Sequence, residues 1–252
     1  MSNRIDQKTS PVLADNRRAL RWAGLVFAIF FPSLITWAYF IFAERYSTGI
    51  KQSVFLSAKI TQFAFPLLWT WLVLREPLRT SRPTWSGVLM GITFGAAVAI
   101  VGTAVFDLYL RDTQIFAAAA EMIQQKIKTF GIDTAGKYYV LAGFYSICHS
   151  FLEEYYWRWF VFKQLRRVVS LWPAVFISGV GFTLHHIVIL CIYFHGVPWL
   201  VGLLAVGTAI GGFVWAWLYE RSDSIFDTWP SHLLIDVGVF FGVGYELVRH
   251  AF

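Results

Sequence analysis

The chain has 252 residues, of which 57% are hydrophobic and only 14% are charged. A soluble domain of this composition would have too little polar surface to cover itself, so the sequence predicts a polytopic membrane protein. The formal net charge is +6, and the basic residues gather in short loops. Such placement is typical of topology determinants and not of a nucleic-acid-binding surface, so we expect no nucleic-acid partner.

Long apolar stretches predict an all-α transmembrane bundle that forms a single domain over residues 1–252. Crossing a hydrocarbon core of about 30 Å takes about 20 mostly apolar residues. Residues 1–21 lack the pattern of a removable signal peptide and are expected to form a cytoplasmic tail. The seven predicted spans are residues 22–43, 52–74, 85–106, 137–164, 170–194, 198–219 and 230–248.

Residues 112–130 mix apolar and charged side chains and predict an amphipathic helix at the membrane interface. If this segment crossed the membrane instead, the bundle would have eight spans. With seven spans, the Lys and Arg residues of the N-terminus and of the loops at 75–82 and 163–167 fall on one side of the membrane, together with Arg221. The positive-inside rule assigns this side, and with it the N-terminus, to the cytoplasm.

The fourth span carries charged residues at a depth where each costs about 2.5–3.5 kcal/mol. Glu154 and Arg158 are four residues apart in the order that favours an ion pair on one helix face. Glu153 is rotated by about 100° from Glu154 and has Trp157, not a basic residue, four positions on. The spacing therefore predicts a structural pair and one spare carboxylate. A single structural cluster of all three charges is the alternative.

Two later spans contain histidines. On the fifth, Phe182 and His186 share a helix face, and His185 is expected to point away. On the seventh, His232 and Asp236 share a face, and Pro230 is predicted at the first helical position, with His232 in the first turn. Buried histidines are often only structural. A histidine cluster in a bundle with a spare carboxylate points instead to a polar catalytic cavity within the bilayer.

Three ordered motifs together resemble the CAAX protease and bacteriocin-processing (Abi) family, which includes the type II CAAX prenyl endopeptidases. The resemblance covers the catalytic half, residues 137–248. It implies an intramembrane endopeptidase without a cofactor, acting on a peptide or prenylated C-terminal substrate in contact with membrane lipid. The family usually has Asn where this chain has Asp236. The implied catalytic residues are Glu153, His186 and His232, and the implied supporting residues are Glu154, Arg158, Phe182 and Asp236.

The residues alone leave other chemistries open. Glu153, His186 and His232 would also suit a three-ligand zinc site with an open fourth position. We prefer a water activated by Glu153, because a zinc site would need another base and Glu154 is predicted to pair with Arg158. His149, four residues before Glu153, is either a partner of that carboxylate or a core residue.

Three further function classes compete with a protease. A proton-coupled transporter would use buried Glu, His and Asp residues as a relay, but the halves of the sequence show no convincing inverted repeat. A cytochrome would use histidines as axial haem ligands. A catalytically silent relative would act as an immunity or scaffolding protein.

Overall fold

A computed structural model describes residues 11–42 and 46–252, and these residues form helices and no strands. We number the helices α1 to α8 in chain order. Several helices contain π-helical turns, in which the backbone bonds reach one residue further than in an α-helix. The helices are α1 (11–42), α2 (48–73), α3 (85–110), α4 (Gln114–Thr129), α5 (135–165), α6 (Leu171–Tyr193), α7 (Pro198–Ser222) and α8 (Ile225–Ala251).

Five of the described helices are long and apolar enough to cross a membrane, which fits an integral membrane protein. They are Asp15–Ile41, Trp85–Leu110, Leu171–Tyr193, Pro198–Ser222 and Ile225–Ala251. The predicted total of seven to eight spans is not confirmed, because α2 and α5, which lie over two further predicted spans, are not among the five. The amphipathic helix predicted over 112–130 is present as α4, which buries Phe116, Ala119 and Ile127.

The N-terminal segment differs from the prediction. Helix α1 begins at Pro11, so the described part of the predicted tail is helical. The remainder of that tail, residues 1–10, lies outside the described residues, as does Ala43 at the end of the first predicted span. Helix α1 packs against the catalytic half, where the backbone carbonyl of Ala28 accepts a hydrogen bond of 2.8 Å from the Tyr156 hydroxyl.

The start of α8 was also predicted wrongly. The helix begins at Ile225, where the Ser224 side chain caps it by accepting a hydrogen bond from the Phe226 N–H. Pro230 therefore lies inside the helix, and His232 is two turns past the start. Only the first four N–H groups of a helix lack a partner in the helix, so Pro230, the sixth residue, leaves α8 one backbone hydrogen bond short.

Helix α8 packs closely against α3 along a line of small residues. A side-chain carbon added at Gly91 would clash with the backbone carbonyl oxygen of Asp227. One added at Gly95 would lie only 2.7 Å from the Cα of Ser231. Small residues at this spacing let the backbones of the two helices approach closely. The start of α3 is tied to the same helix, since the Thr84 N–H and hydroxyl donate to the Asp227 carboxylate at 2.9 and 2.8 Å.

One end of the bundle carries a group of ion pairs. The Glu76 carboxylate binds Arg21 and Arg167, and it also accepts a hydrogen bond from Gln164. Burial alone would raise the pKa of Glu76, but the hydrogen bond from Arg21 and the charges of Arg167 and Arg21 hold that pKa below its ordinary value. At the same end, the Lys163 ammonium contacts both carboxylate oxygens of Asp223, at 2.7 and 2.8 Å.

The pair between Lys163 and Asp223 fixes the relative depth of two helices. Glu153 lies ten residues before Lys163 on α5, and His232 lies nine residues after Asp223. At a rise of about 1.5 Å per residue, both side chains lie about 14–15 Å from the same ion pair. The earlier start of α8 therefore brings Glu153 and His232 to the same level of the bundle.

Candidate active site

The candidate site is built around two adjacent carboxylates on α5. Ser150–Glu154 is one short α-helical turn, and it lies between the π-helical segments Phe144–His149 and Tyr155–Phe162. π-Helical turns of this kind occur often at functional sites. Glu153 and Glu154 are both buried, with 3% and 0% of their surface exposed. Because consecutive side chains on a helix point about 100° apart, the two carboxylates face different neighbours.

Glu153 faces imidazole rings. Its Oε1 lies 3.3 Å from His185 Nε2, and its Oε2 lies 3.6 Å from His232 Nε2 and 3.9 Å from His149 Nδ1. Among the residues that the structure describes, neither Lys nor Arg forms an ion pair with this carboxylate. Glu153 is thus the spare carboxylate that the spacing predicted.

Glu154 binds two side chains through the same oxygen. Its Oε1 lies 2.9 Å from Arg158 Nη1, which is the predicted ion pair, and 2.8 Å from His232 Nδ1. The Arg158 guanidinium also lies over the rings of Phe182 and Trp215, at 4.9 and 4.7 Å from their centroids. Glu154 therefore connects α5 to α8 as well as stabilising its own helix.

The ring of His232 is held from several sides. Its Nδ1 faces the Glu154 carboxylate, so Nδ1 carries a hydrogen that it donates and Nε2 points toward Glu153. The ring stacks on Trp215 with centroids 4.3 Å apart, and the Trp215 indole N–H donates to the Ser231 hydroxyl. These contacts give the imidazole a defined direction.

His186 is oriented by its own helix. Its Nδ1 lies 3.0 Å from the backbone carbonyl of Phe182, to which it donates a hydrogen bond. This bond leaves Nε2 as the basic nitrogen of a neutral ring. The rings of Phe182 and His186 lie 4.7 Å apart, in keeping with the shared face that was predicted for them.

Asp236 lies beside His232, with its Oδ1 3.9 Å from His232 Nε2. That separation is longer than a hydrogen bond. Asp236 is 15% exposed, so it borders the buried group without forming part of its hydrogen-bond chain. The structure therefore brings together Glu153, His186 and His232, and it places Asp236 at their edge.

His185 is the site residue that the sequence interpretation missed. It was expected to point away from the site, yet its Nε2 has the shortest distance to Glu153 of the three imidazoles in ion-pair contact with that carboxylate. The His185 and His186 rings lie 4.1 Å apart, so both reach the carboxylate from neighbouring positions on α6. The adjacent pair of histidines was itself a signal, because two consecutive side chains can flank one facing group.

A metal site can be assessed from the same atoms. In the described part of the chain, Glu153, His185 and His186 offer ligand atoms that all lie within 4.8 Å of one another. One carboxylate and two imidazoles are a ligand set that zinc accepts. The zinc set predicted from the sequence had His232 where this group has His185. Glu153 and His186 are common to both sets.

The site combines a buried base with donors and acceptors of defined direction. A carboxylate that lacks a Lys or Arg partner can accept a proton from water, and imidazoles beside it can hold or return that proton. Such a constellation in a low-dielectric interior fits a hydrolytic reaction better than a purely structural ion pair.

Comparison with known proteins agrees with this chemistry. Residues 135–238 match the family model described as type II CAAX prenyl endopeptidase Rce1-like. No curated protein matches the chain, and no solved structure matches it either. The matched segment contains both carboxylates of α5, His185 and His186 of α6, and His232 of α8. Residues 135–238 are therefore similar to the Rce1-like family, and the predicted resemblance to the CAAX protease family is confirmed.

Proposed function

We propose that this protein is an intramembrane endopeptidase that hydrolyses a peptide bond of a prenylated or otherwise membrane-associated substrate, with a water molecule activated by Glu153. The observation that carries the proposal is the environment of Glu153. It is buried, without a Lys or Arg partner among the described residues, and in contact with imidazole rings from α5, α6 and α8.

In the proposed reaction Glu153 accepts a proton from water, and the resulting hydroxide attacks the carbonyl carbon of the scissile bond. The carbonyl π-electrons move to the oxygen, which becomes an oxyanion. His232 acts here as an imidazolium: its Nδ1–H stays bonded to Glu154, and its Nε2–H stabilises the oxyanion. The carbonyl then re-forms, the C–N bond breaks, and the proton that Glu153 took from water passes through His186 Nε2 to the leaving amine. His186 is the proposed carrier because its Nδ1 is bound to the Phe182 carbonyl, which leaves Nε2 to hold the proton.

Glu154 and Arg158 have a positioning role in this proposal. The bond between Glu154 and His232 fixes the direction of His232 Nε2, as the aspartate of a serine-protease triad fixes its histidine. Arg158 supplies the positive charge that compensates Glu154. Asp236 would act on the oxyanion only in its protonated form, because an ionised carboxylate has no hydrogen to donate.

A zinc-dependent protease is the second candidate, and the grouping of Glu153, His185 and His186 favours it. These three residues would hold the ion, which would supply an activated water. Glu153 would then be a ligand and not the base. Chelator treatment followed by metal analysis separates the two: lasting activity in metal-free protein supports the proposed mechanism, whereas loss that zinc restores supports the second.

The proposal is tested with purified protein in detergent and a prenylated peptide whose cleavage products are identified by mass spectrometry. Wild type should cleave the peptide, and Glu153→Gln should not, because an amide cannot accept the proton. Glu121→Gln is the matched control, since Glu121 is exposed on α4. Equal turnover by wild type and Glu153→Gln would contradict the proposed role of Glu153.

A further inference from the structure

Lys59 is a basic residue within the largely apolar helix α2, outside the segment that matches the family. It lies eleven residues from the start of α2, roughly 17 Å along the helix. The sequence predicts a membrane span over 52–74, and a cation at that depth would cost about 2.5–3.5 kcal/mol unless it has a partner or a function.

The contacts of Lys59 within the described structure leave its ammonium partly unsatisfied. Its Nζ donates one hydrogen bond of 3.1 Å to Gln62 Oε1. It also lies 5.6 Å from the centroid of the Phe55 ring and 5.7 Å from that of Phe63, which is within the range of cation–π attraction. An ammonium has three N–H donors, so two remain for another acceptor. In the described residues no carboxylate lies within ion-pair distance of it.

Lys59 is connected to the candidate site by one aromatic ring. The Phe63 ring that borders the ammonium meets the His149 ring edge to face, with centroids 6.1 Å apart. His149 Nδ1 in turn lies 3.9 Å from Glu153 Oε2. Among the described residues, the ion-pair contacts of Glu153 are with histidines and do not include Lys59. The Lys59 ammonium therefore lies near Glu153 but does not form an ion pair with it, so it remains available to bind another group.

From this juxtaposition we infer that Lys59 binds a carboxylate of the substrate and so selects peptides that present one close to the scissile bond. The inference rests on the proposed function. The two free N–H donors suit the two oxygens of a carboxylate, and a charged pair is strong where water is excluded. The favoured source is the free C-terminal carboxylate, which every unamidated peptide end carries. An acidic side chain offers the same chemistry.

The inference is tested by comparing three prenylated peptides that share one cleavage site. The first ends in a free carboxylate, the second ends in an amide, and the third ends in an amide but has a Glu side chain in its last residue. Wild type should prefer the first peptide. Lys59→Met should raise KM for that peptide by about tenfold or more, the usual effect of losing a charge-assisted hydrogen bond, and should leave the amide peptide unchanged.

Three further variants define what the loss means. Lys59→Arg should keep the preference, because it keeps a positive charge. Lys51→Met, on the same helix, should behave as wild type and controls for the loss of a lysine. Lys59→Gln replaces Lys59→Met if the latter does not fold, and unchanged turnover of the amide peptide shows that the site is intact.

A binding measurement separates this inference from the proposed function. In the Glu153→Gln background no cleavage is expected, so the affinity of each peptide is read directly, with and without Lys59→Met. A preference for the free carboxylate that disappears with Lys59→Met supports the inference, whether or not wild type cleaves. A preference that survives Lys59→Met in both assays, or no preference in wild type, overturns it. A preference of wild type for the third peptide over the first would assign the carboxylate to a side chain.

Discussion

Two adjacent glutamates with the same chemistry have different surroundings in this protein. Glu154 is neutralised by Arg158 and bound to His232, whereas Glu153 meets only imidazoles among its ion-pair contacts. Removing one partner of a buried ion pair leaves the other charge uncompensated, and this typically costs about 3–5 kcal/mol. A functional group that lacks such a partner can usually be replaced with little loss of stability.

The first prediction therefore contrasts two single changes. Glu154→Gln should lower the free energy of unfolding by about 3–5 kcal/mol, because Arg158 loses its counter-charge. Glu153→Gln should leave the unfolding transition within about 1 kcal/mol of wild type while abolishing cleavage. Chemical unfolding in detergent micelles measures the first quantity and peptide cleavage the second. Equal destabilisation by both changes would show that the three charges form one structural cluster.

The second prediction concerns the two histidines of α6. If His186 carries the proton and His185 only orients Glu153, His186→Gln should lower kcat by about 10²-fold or more, and His185→Gln should lower it less. Metal content is measured in parallel. If both changes abolish activity and both remove bound zinc, the metal mechanism replaces the proposed one.

Sequence reasoning identified most of the site residues but not all of their contacts. The spacing of Glu154 and Arg158 defines a pair on one helix, so it could be read from a single segment. The contact between Glu154 and His232 joins residues 78 positions apart and depends on how two helices pack. His185 was missed for the same reason, since helical periodicity shows that His185 and His186 point apart but not that Glu153 lies between their directions.

At the scale of the helices, the close contact between α3 and α8 holds His232 in place. Gly95 lies against the backbone of Ser231, the residue before His232, and the added methyl group of an alanine would lie 2.7 Å from the Ser231 Cα. Backbone cannot yield in the way that the end of a flexible side chain can, so α8 must shift.

The third prediction follows from this contact. Gly95→Ala should reduce kcat/KM by roughly 10²-fold, the scale of effect that follows a misplacement of about 1 Å in an active site. Gly102→Ala is the matched control, because Gly102 lies on the same helix and has no atom within 4 Å of the added carbon. Cleavage assays on both variants measure the difference. Similar activity in the two would show that the contact between Gly95 and Ser231 is not needed to position His232.

Helix existence was predictable from apolar length, but helix starts were less so. Pro230 was read as the first residue of α8 because proline is favoured there. The true cap is Ser224. The helix therefore begins at Ile225, which is more than one turn before Pro230. The prediction relied on the preference of proline for the first helical position. It could not include the packing of α8 against α3, which stabilises the longer helix.

For the whole molecule, the group around Glu76 joins distant parts of the chain. Arg21 comes from α1, Glu76 from the loop after α2, and Arg167 from the loop after α5. The fourth prediction is a dependence of stability on pH. Because the folded-state pKa of Glu76 lies below its unfolded value, its contribution is present above the unfolded pKa, about 4.3, and is lost as pH falls through the folded value.

This contribution is measured as the difference in Tm between wild type and Glu76→Gln across pH 7 to 3. The difference should be largest near neutral pH and should shrink below about pH 4, where the wild-type carboxyl becomes protonated. Glu121→Gln serves as the control with no expected pH-dependent difference. A difference that grows on acidification would contradict the sign of the shift.

The fifth prediction concerns orientation. If the positive-inside rule holds, the end of the bundle that carries Arg79 faces the cytoplasm, and the opposite end, where Asp112 lies, faces outward. In a variant with Cys148 and Cys191 replaced, a cysteine at position 112 should react with a membrane-impermeant maleimide on intact cells. A cysteine at position 79 should react only after the membrane is permeabilised. The reverse pattern would invert the topology.

The carboxylate doublet also bears on how relatives of this protein are interpreted. A homologue with glutamine in place of the first glutamate should still assemble and reach the membrane, because the counter-ion of the arginine is intact, and would be suited to a non-hydrolytic duty such as immunity or scaffolding. A homologue that changes only the second glutamate should instead fold poorly, because the arginine then has no counter-charge. Such a change is expected only together with a change of the arginine. Homologues without hydrolytic activity are thus expected to vary at the first glutamate and to keep the second.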